Sequence, residues 1–309
     1  MPSPSLKPES PQERPAVTAS PYAVLAILTL DDGEWAVRFT DARSAALPVT
    51  DLAVTRGDAV FETVAFFDGR PQALDQHLER LVSSARKLHI AEPERALWTA
   101  TILAAVAEHP PWPELSVKVV LARPQEREDG TVYGWVHVET AADHSTRRNT
   151  GISLATMSRG VTRTAARDAP WLLMGAKTLS YAVNMAATRE ARRRGADEAL
   201  FHTVDGFVME GPVSSVVMRR GNVLLTPDPG IGILEGTTQQ DVFAHAPSLG
   251  LKPLYVEIHK DELPAMDAVW MLGSGSLALP VHRIDGADVS TDPEMTRRLN
   301  YHLRFGRRA

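Results

Sequence analysis

Lys177 is the residue whose setting in this sequence could most readily support covalent chemistry. It follows an apolar run at residues 171–174. Burial disfavours the charged form of an amine, so a partly desolvated lysine has a lowered pKa and can act as a nucleophile or a base. The alternative is a lysine at the start of a helix whose charge reaches water. The 309 residues include no cysteine, which excludes thiol nucleophiles, thiolate metal sites and disulfides.

Glu210 is a second candidate, because it ends an apolar segment and precedes Gly211 and Pro212. Burying a carboxylate costs free energy unless a cation accompanies it. A protonated heterocyclic nitrogen would be one such cation. The alternative is that the alternation of a strand turns Glu210 towards solvent.

Two features could bind a phosphate. Gly236, Thr237 and Thr238 precede a predicted helix, and the unpaired N–H groups and positive dipole at a helix start attract anions. The same residues could serve only as an ordinary N-cap. Arg80 follows His77 by three residues on a predicted amphipathic helix and could hold a phosphate through two parallel hydrogen bonds. Most arginines in such positions are simply solvated.

Several classes of protein are disfavoured. The ten histidines are dispersed, without the spacing of a metal site. A net charge of −5 argues against a nucleic-acid partner, and no apolar run reaches the roughly 18 residues of a membrane span. Residues 1–21, rich in Pro and Ser, lack the apolar core of a signal peptide and are expected to be a disordered leader. We therefore expect a cytoplasmic protein without nucleic-acid or membrane partners.

The elements that must position the candidate residues mix strands and helices in both halves of the chain. Strands are predicted at residues 23–30, 35–39, 60–67, 116–122, 134–140, 152–157, 198–203, 207–210, 216–218 and 223–225. Helices are predicted at residues 74–88, 94–108 and 178–194 and from about residue 238. The polar stretch at 141–149 has no periodicity and is interpreted as a linker. We expect a leader at 1–21, an N-terminal α/β domain at 22–143, the linker at 144–150 and a C-terminal domain at 151–309.

The order of these features along the chain resembles that of the fold type IV pyridoxal-phosphate enzymes, the class IV aminotransferase family. That family includes branched-chain aminotransferases, D-amino acid aminotransferases and 4-amino-4-deoxychorismate lyases. The matching segments are residues 56–63, 77–81, 177–181, 205–212, 233–238 and 273–286. The resemblance implies an α+β, two-lobed fold like that of D-amino acid aminotransferase. Its N-terminal α/β domain would be small and its C-terminal α/β domain larger and barrel-like, with the site between them in a homodimer.

The resemblance also implies roles for particular residues toward pyridoxal 5'-phosphate. Lys177 would carry the Schiff base with the cofactor aldehyde and then move protons, and Glu210 would pair with the pyridinium nitrogen. Tyr181 would reach the 3-oxygen of the cofactor. The phosphate would be held by Arg80, Gly236, Thr237, Thr238 and Ser274. Ser276 is an alternative to Ser274.

The segment at residues 171–186 is most similar to the aminodeoxychorismate lyases of actinobacterial type. A lyase would release pyruvate and 4-aminobenzoate for folate biosynthesis. The alternative is an aminotransferase acting on D-amino or branched-chain amino acids, which would share every cofactor residue. A protein that only binds the cofactor would need neither Lys177 nor Glu210. Arg56 and Ser180 depart from the residues common in the family, which bears on the substrate, and Arg56 and Lys118 are either substrate contacts or surface charges.

Overall fold

The first half of the chain forms a six-stranded antiparallel sheet in the computed structural model, which describes residues 22–31, 34–44, 47–123 and 133–306. The strand order is β2-β1-β6-β5-β3-β4. The predicted leader at residues 1–21 lies outside the described residues. The strands are β1 (Val24–Asp31), β2 (Glu34–Asp41), β3 (Ala59–Phe67), β4 (Arg70–Pro71), β5 (Glu114–Ala122) and β6 (Tyr133–Thr140). The helices are α1 (Leu52–Thr55), α2 (Leu74–Lys87) and α3 (Arg95–Glu108).

Strand β3 is buried on both faces, and its alternation divides its side chains between two environments. Val60 and Phe66 pack with the apolar stripe of α2, which includes Leu78 and Leu81. Because alternate residues of a strand share a face, Glu62 lies on this α2 side of the sheet. The opposite face packs against the second half of the chain through Ala65 and Phe67 of β3 and Val217 and Trp270 of the second sheet.

The second half forms an eight-stranded mixed sheet ordered β11-β10-β9-β12-β13-β7-β8, with β14 paired to β13. Its strands are β7 (Ile152–Ser158), β8 (Glu198–His202), β9 (Ser215–Arg220), β10 (Val223–Pro227), β11 (Lys252–Val256), β12 (Ala268–Gly273), β13 (Leu277–Ile284) and β14 (Ala287–Asp288). The helices are α4 (Ser145–Thr150), α5 (Ala165–Asp168), α6 (Ala182–Arg193), α7 (Thr237–His245) and α8 (Pro293–Phe305). Short 3₁₀ turns lie at Pro170–Leu172, Pro229–Ile231, Ala246–Leu249 and Lys260–Ala265. The pairs β10–β11, β13–β7 and β7–β8 are parallel.

The helix predicted from residue 178 begins only at Ala182, so that prediction was wrong over its first turn. Residues 177–179 instead run beside β3: the Phe61 N–H donates to the Lys177 carbonyl, and the Leu179 N–H donates to the Ala59 carbonyl, both at 2.9 Å. The cause is tertiary. Strand β4 covers only the far end of this edge of β3, so residues near Ala59 need other backbone partners.

The predicted linker contains helix α4, which its lack of periodicity did not reveal. The first sheet ends at Thr140 and the second begins at Ile152, with α4 between them. The Asp143 carboxylate accepts a hydrogen bond from the Ser145 N–H at 2.8 Å at the start of this helix. A helix of six residues is too short for apolar periodicity to show. No helix in the described ranges is long and apolar enough to cross a bilayer.

Candidate active site

A cavity of about 510 Å³ lies between the two sheets and is lined by both halves of the chain. The first half contributes β3 and α2, and the second contributes residues 172–181, residues 209–215, the start of α7 and the β12–β13 turn. All eight site residues predicted from the sequence border this cavity. They are Arg80, Lys177, Tyr181, Glu210, Gly236, Thr237, Thr238 and Ser274.

Lys177 reaches the cavity from the segment paired with β3. Its backbone N–H donates to the Ser84 hydroxyl at 3.1 Å, and its Nζ donates to the Tyr181 hydroxyl at 3.3 Å. Nζ also lies 4.6 Å from the centroid of the Phe61 ring. Burial, reinforced by the nearby positive charge of Arg80, lowers the pKa of Lys177 to about 8. A substantial fraction of this amine is therefore neutral, and nucleophilic, near physiological pH.

Tyr181 precedes α6 and packs edge-to-face on Phe61, with the ring centroids 5.2 Å apart. Burial, together with the negative charge of Glu210, raises the pKa of Tyr181 to about 12. The phenol therefore keeps its proton at physiological pH. Since its oxygen accepts the hydrogen bond from Lys177, that proton remains available for a second contact in the cavity.

Glu210 enters the cavity from a hairpin that pairs it with β8, where the Phe201 N–H donates to the Glu210 carbonyl at 2.8 Å. One carboxylate oxygen accepts a hydrogen bond from the Leu234 N–H at 3.1 Å. Within the described ranges, no cation forms an ion pair with this carboxylate. Burial raises the pKa of Glu210 to about 7. A cation arriving in the cavity would stabilise its charged form.

Arg80 is held by Glu62, a residue to which sequence reasoning assigned no role. Its Nε and Nη2 each donate to a different oxygen of the Glu62 carboxylate at 2.8 Å, and Nη1 donates to the Glu235 carbonyl at 2.8 Å. Burial alone would raise the pKa of Glu62, but Arg80 and His77 hold it well below its usual range. The two parallel hydrogen bonds expected for a phosphate are thus made to a carboxylate.

His77 links this ion pair to the start of α7. Burial lowers the pKa of His77, so its ring is neutral at physiological pH. Nδ1 lies 2.7 Å from the Glu62 carboxylate, an acceptor that requires the proton to be on Nδ1. Nε2 therefore accepts the hydrogen bond from the Thr237 hydroxyl at 3.1 Å. Because that hydroxyl proton is engaged, Thr237 can offer an anion only its backbone N–H.

Helix α7 begins beside the cavity without a capping side chain, since its N-cap is Gly236. A Cβ at position 236 would lie 2.1 Å from the Ser215 hydroxyl oxygen, so a larger residue there would require the Ser215 side chain to move. Thr237 and Thr238 are both buried in the first turn. The first N–H groups of a helix have no partners within it and carry its positive dipole end. This start of α7 therefore has the polarity and the N–H groups that suit an anion.

Ser274 lies in the turn between β12 and β13, where the first half already engages its hydroxyl. The oxygen accepts from the Ala65 N–H at 2.9 Å, and the hydroxyl donates to the Gln72 side chain at 3.2 Å. The side-chain amide nitrogen of Gln72 donates in turn to the Asp241 carboxylate of α7 at 3.5 Å. The Ser276 hydroxyl has a weaker contact, at 3.4 Å from the Leu277 carbonyl, and also borders the cavity.

A sequence model of the family described as amino-transferase class IV matches residues 59–284. The chain belongs to the class IV aminotransferase family. The bifunctional aminodeoxychorismate lyase / D-amino acid transaminase of Mycobacterium tuberculosis (strain H37Rv) is 37% identical over 260 residues, covering 80% of this chain and 89% of that protein. The aminodeoxychorismate lyase of Bacillus subtilis (strain 168) is 26% identical over 263 residues, covering 80% and 85%.

Solved structures of fold type IV transaminases share the fold of this class IV enzyme, which confirms the expected two-lobed α+β fold. A fold IV transaminase from Curtobacterium pusillum superposes with a TM-score of 0.86 and 40% identity, covering 92% of this chain and 99% of that one. The PLP-bound form of a hypothetical aminotransferase from Mycobacterium tuberculosis gives a TM-score of 0.82 and 34% identity, covering 92% and 100%. Pyridoxal 5'-phosphate is the cofactor of this family, as expected from the sequence.

The residues around the cavity fit that cofactor. Lys177 offers an amine of lowered pKa to an aldehyde, and Glu210 is a buried carboxyl of raised pKa suited to a ring N–H. The uncapped start of α7 suits a phosphate. The buried amine and carboxyl cost free energy in the absence of a ligand, and the N–H groups at the start of α7 lack partners within the helix. Together these features suit a ligand with an aldehyde, a ring N–H and a phosphate.

Two further polar groups at this site were not predicted from the sequence. Arg159 lies over the Phe201 ring, 4.8 Å from its centroid, and its Nη1 is buried with no hydrogen-bond partner among the described residues. His144 Nδ1 is in the same situation. Both residues border the cavity. Glu62 had a usable sequence signal, because it is the single charged residue in the apolar strand β3, whereas Arg159 and His144 had none.

Proposed function

We propose that this class IV enzyme is a 4-amino-4-deoxychorismate lyase that releases pyruvate and 4-aminobenzoate in folate biosynthesis. The observation that carries the proposal is the extended similarity to the bifunctional aminodeoxychorismate lyase / D-amino acid transaminase of Mycobacterium tuberculosis. That similarity covers both halves of the cavity. The proposed cofactor residues are Lys177, Glu210, Tyr181, Arg80, Gly236, Thr237, Thr238 and Ser274.

Cations near Lys177 support a substrate with more than one carboxylate, as aminodeoxychorismate has. Arg159 borders the cavity with a buried, unpartnered Nη1. Lys118 Nζ lies 5.0 Å from the centroid of the same Phe61 ring that Lys177 approaches. A buried guanidinium nitrogen without a partner favours an anionic ligand, because leaving it unpaired costs free energy. We propose Arg159 and Lys118 as the contacts for the two substrate carboxylates.

The chain's own residues divide the work of the reaction. When bound, pyridoxal 5'-phosphate supplies an electron sink for the electron pair that remains when a proton leaves the substrate carbon. Lys177 takes the proton from the ring carbon that bears the substrate amine. Glu210 keeps a proton on the pyridine nitrogen. The bond from the neighbouring ring carbon to the enolpyruvyl oxygen then breaks, the ring becomes aromatic, and the released enolpyruvate takes up a proton to give pyruvate.

The phosphate is proposed to lie against the start of α7. Arg80 faces it with its charge already offset by Glu62, so the dipole and free N–H groups of Thr237 and Thr238 carry much of the attraction. The Ser274 hydroxyl proton is directed to Gln72. From the β12–β13 turn, the proposed donors are therefore backbone N–H groups and the Ser276 hydroxyl, whose contact with the Leu277 carbonyl at 3.4 Å is weak.

A specific observation supports the alternative of an aminotransferase for D-amino or branched-chain amino acids. The same relative is named for a D-amino acid transaminase activity as well, and the most similar solved structure described above is a transaminase. The cofactor residues do not separate the two activities, since both need Lys177 as a base.

A parallel titration of the purified holoenzyme with D-alanine, L-leucine and aminodeoxychorismate tests the proposal. A lyase forms pyruvate and fluorescent 4-aminobenzoate from aminodeoxychorismate and retains the spectrum of the lysine-bound cofactor. An aminotransferase given an amino acid alone converts the cofactor to its amine form, with a spectral shift. If D-alanine or L-leucine converted the cofactor to its amine form and aminodeoxychorismate gave no 4-aminobenzoate, the lyase proposal would be overturned in favour of the alternative.

We also propose that the enzyme acts as a cytoplasmic homodimer. Large apolar side chains are exposed in two segments of the second half of the chain, with Trp171 75% and Val213 60% exposed. Val213 borders the cavity, and packing against a second copy of the chain would remove such side chains from water. Light scattering of the holoenzyme would report the mass directly, and a monomer at micromolar concentration would contradict this assembly.

A further inference from the structure

Arg148, in the predicted linker, makes an unusually complete set of hydrogen bonds next to the active site. Its Nε donates to the Ser276 carbonyl at 3.0 Å, and its Nη2 donates to the Gly275 carbonyl at 2.7 Å. Nη1 and Nη2 also donate to the two oxygens of the Glu114 carboxylate at 3.2 and 3.0 Å. The side chain is only 10% exposed. Arg148 thus joins three separate parts of the chain: α4, the first sheet and the β12–β13 turn.

The partner carboxylate is itself fixed. Glu114 begins β5 and pairs across the sheet with Phe67, at the end of β3. It also accepts a hydrogen bond from Arg304 of α8 at 2.7 Å. The guanidinium of Arg148 lies 5.9 Å from the centroid of Phe67. Since these contacts restrain Glu114 from several sides, Arg148 holds the turn at residues 273–276 relative to the first sheet.

The contacts to the two carbonyls also orient the turn. A trans peptide is planar, with its C=O and N–H pointing in opposite directions. The Gly275 carbonyl points to Arg148, so the N–H of Ser276 points away from Arg148. Leu277 follows with a φ of +60°, a left-handed conformation that is uncommon for a residue with a Cβ and persists only where its surroundings impose it. Arg148 binds the carbonyl of the peptide immediately before Leu277 and so helps to impose it.

We propose that Arg148 is a positioning residue for cofactor phosphate binding. By holding the carbonyls of Gly275 and Ser276, it keeps the donors of the turn directed at the cavity and places them opposite the start of α7. The inference rests on the phosphate position given under the proposed function, and it is independent of whether the reaction is elimination or transamination.

The chain offers a matched control on the same helix. Arg147 forms one ion pair, with Asp197 at 3.5 Å, and its side chain is 48% exposed. Arg147→Gln therefore removes the same charge from α4 without altering any contact to the turn. Exposed single ion pairs contribute little to stability.

The test compares the affinities of the apoenzymes for pyridoxal 5'-phosphate and for pyridoxal, which lacks the phosphate, by absorbance titration. For Arg148→Gln we expect the dissociation constant for pyridoxal 5'-phosphate to rise about 10- to 100-fold, because hydrogen bonds from a charged donor are lost. The constant for pyridoxal should change less than about 3-fold, and Arg147→Gln should alter neither. A purely structural role would weaken both ligands equally, and that result, or an unchanged affinity for pyridoxal 5'-phosphate, would overturn the proposal.

Arg148→Lys keeps the inference testable if the glutamine variant does not fold. A lysine retains the charge beside Glu114, but a single ammonium lacks the planar fork that spans both carbonyls. We expect a smaller loss of affinity that still affects pyridoxal 5'-phosphate more than pyridoxal. If the ratio of these two affinities in Arg148→Lys equalled that of the wild type, the proposal would be contradicted. If the wild-type enzyme itself showed no preference for the phosphorylated ligand, the phosphate position would be wrong, which is a different failure from that of Arg148.

Discussion

Glu62 and Glu210 are two carboxylates near Lys177, one packed behind Arg80 and one bordering the cavity, and their electrostatic situations are opposite. Glu62 is fully buried, accepts two hydrogen bonds from Arg80 and one from His77, and has a pKa held well below its usual range. Glu210 accepts one hydrogen bond, from the Leu234 N–H, and burial raises its pKa to about 7. The chain itself supplies the counter-charge that offsets the burial of Glu62. Glu210 would obtain such a counter-charge only from a bound ligand.

This difference separates residues that build the site from residues that act in it. Glu62 fixes the orientation of Arg80 and, through His77, of Thr237, so its effect is on geometry. Glu210 has no ion-pair partner in the described ranges, and the positive charges nearby offset only part of the cost of its burial, which a cationic ring nitrogen would relieve. Perturbed pKa values of this uncompensated kind concentrate at functional sites, whereas the depressed pKa of Glu62 follows from an ordinary buried ion pair.

The largest effect is expected on removing the Lys177 amine, on which both carboxylates act electrostatically. Lys177→Ala should reduce activity by at least about 10⁴-fold, because no other base or nucleophile replaces it. The visible absorbance of the lysine-bound cofactor should disappear from the purified protein. Lys118→Ala is the matched control, since it removes a neighbouring amine that does not bind the cofactor, and it should keep the absorbance. Survival of both activity and absorbance in Lys177→Ala would contradict the assignment.

Glu62→Gln should destabilise the folded protein, because it removes the buried ion pair with Arg80. It leaves Arg80 buried without a counter-charge, and removing one partner of a buried ion pair lowers the free energy of unfolding by about 3–5 kcal/mol. Urea unfolding of the apoprotein at pH 7 measures the change. Glu79→Gln serves as the control, because its ion pair with Arg95 is more than half exposed. A loss under about 1 kcal/mol for Glu62→Gln would show that water or another group compensates Arg80.

Glu210→Gln should act in the opposite direction on stability while impairing catalysis. The folded pKa of about 7 lies above the ordinary 4.5, so the unfolded chain loses its proton first as pH rises. The folded apoprotein therefore loses stability between about pH 4.5 and 7, and this loss persists at higher pH. Glu210→Gln has no carboxyl to titrate at this position and does not lose this stability. At pH 8 the variant should therefore be more stable than the wild-type apoprotein by up to about 3 kcal/mol. Its activity should fall about 10²- to 10³-fold.

Urea unfolding of both apoproteins at pH 4 and pH 8 checks this prediction. The gain in stability of Glu210→Gln should be absent at pH 4, where the wild-type carboxyl is protonated in both states. A variant that is less stable than the wild type at pH 8 would mean that Glu210 is already compensated in the folded chain, and the contrast with Glu62 would disappear.

Local sequence patterns predicted most of the elements, and the resemblance to the class IV family implied that the eight site residues lie together, but neither predicted what tertiary packing decides. The α2 periodicity and the strand containing Glu62 were visible in the sequence, yet the bond between Glu62 and Arg80 depends on how α2 crosses β3. Residues 178–181 have an adequate helical pattern but are not helical, because residues 177–179 bond to the backbone of β3 instead. Nothing in the local sequence singles out Arg148, because its contact with the β12–β13 turn joins segments more than 120 residues apart.

Because residues 177–179 pair with β3, the two halves of the chain are not independent modules. By position in the chain, Lys177 belongs to the second half, but its backbone hydrogen bond is to Phe61 of the first sheet. A cut at the linker would therefore yield two fragments, neither of which contains a properly supported lysine. Exchanging one lobe for that of a relative would carry the same risk unless the β3 edge and the lysine segment were transplanted as a single unit.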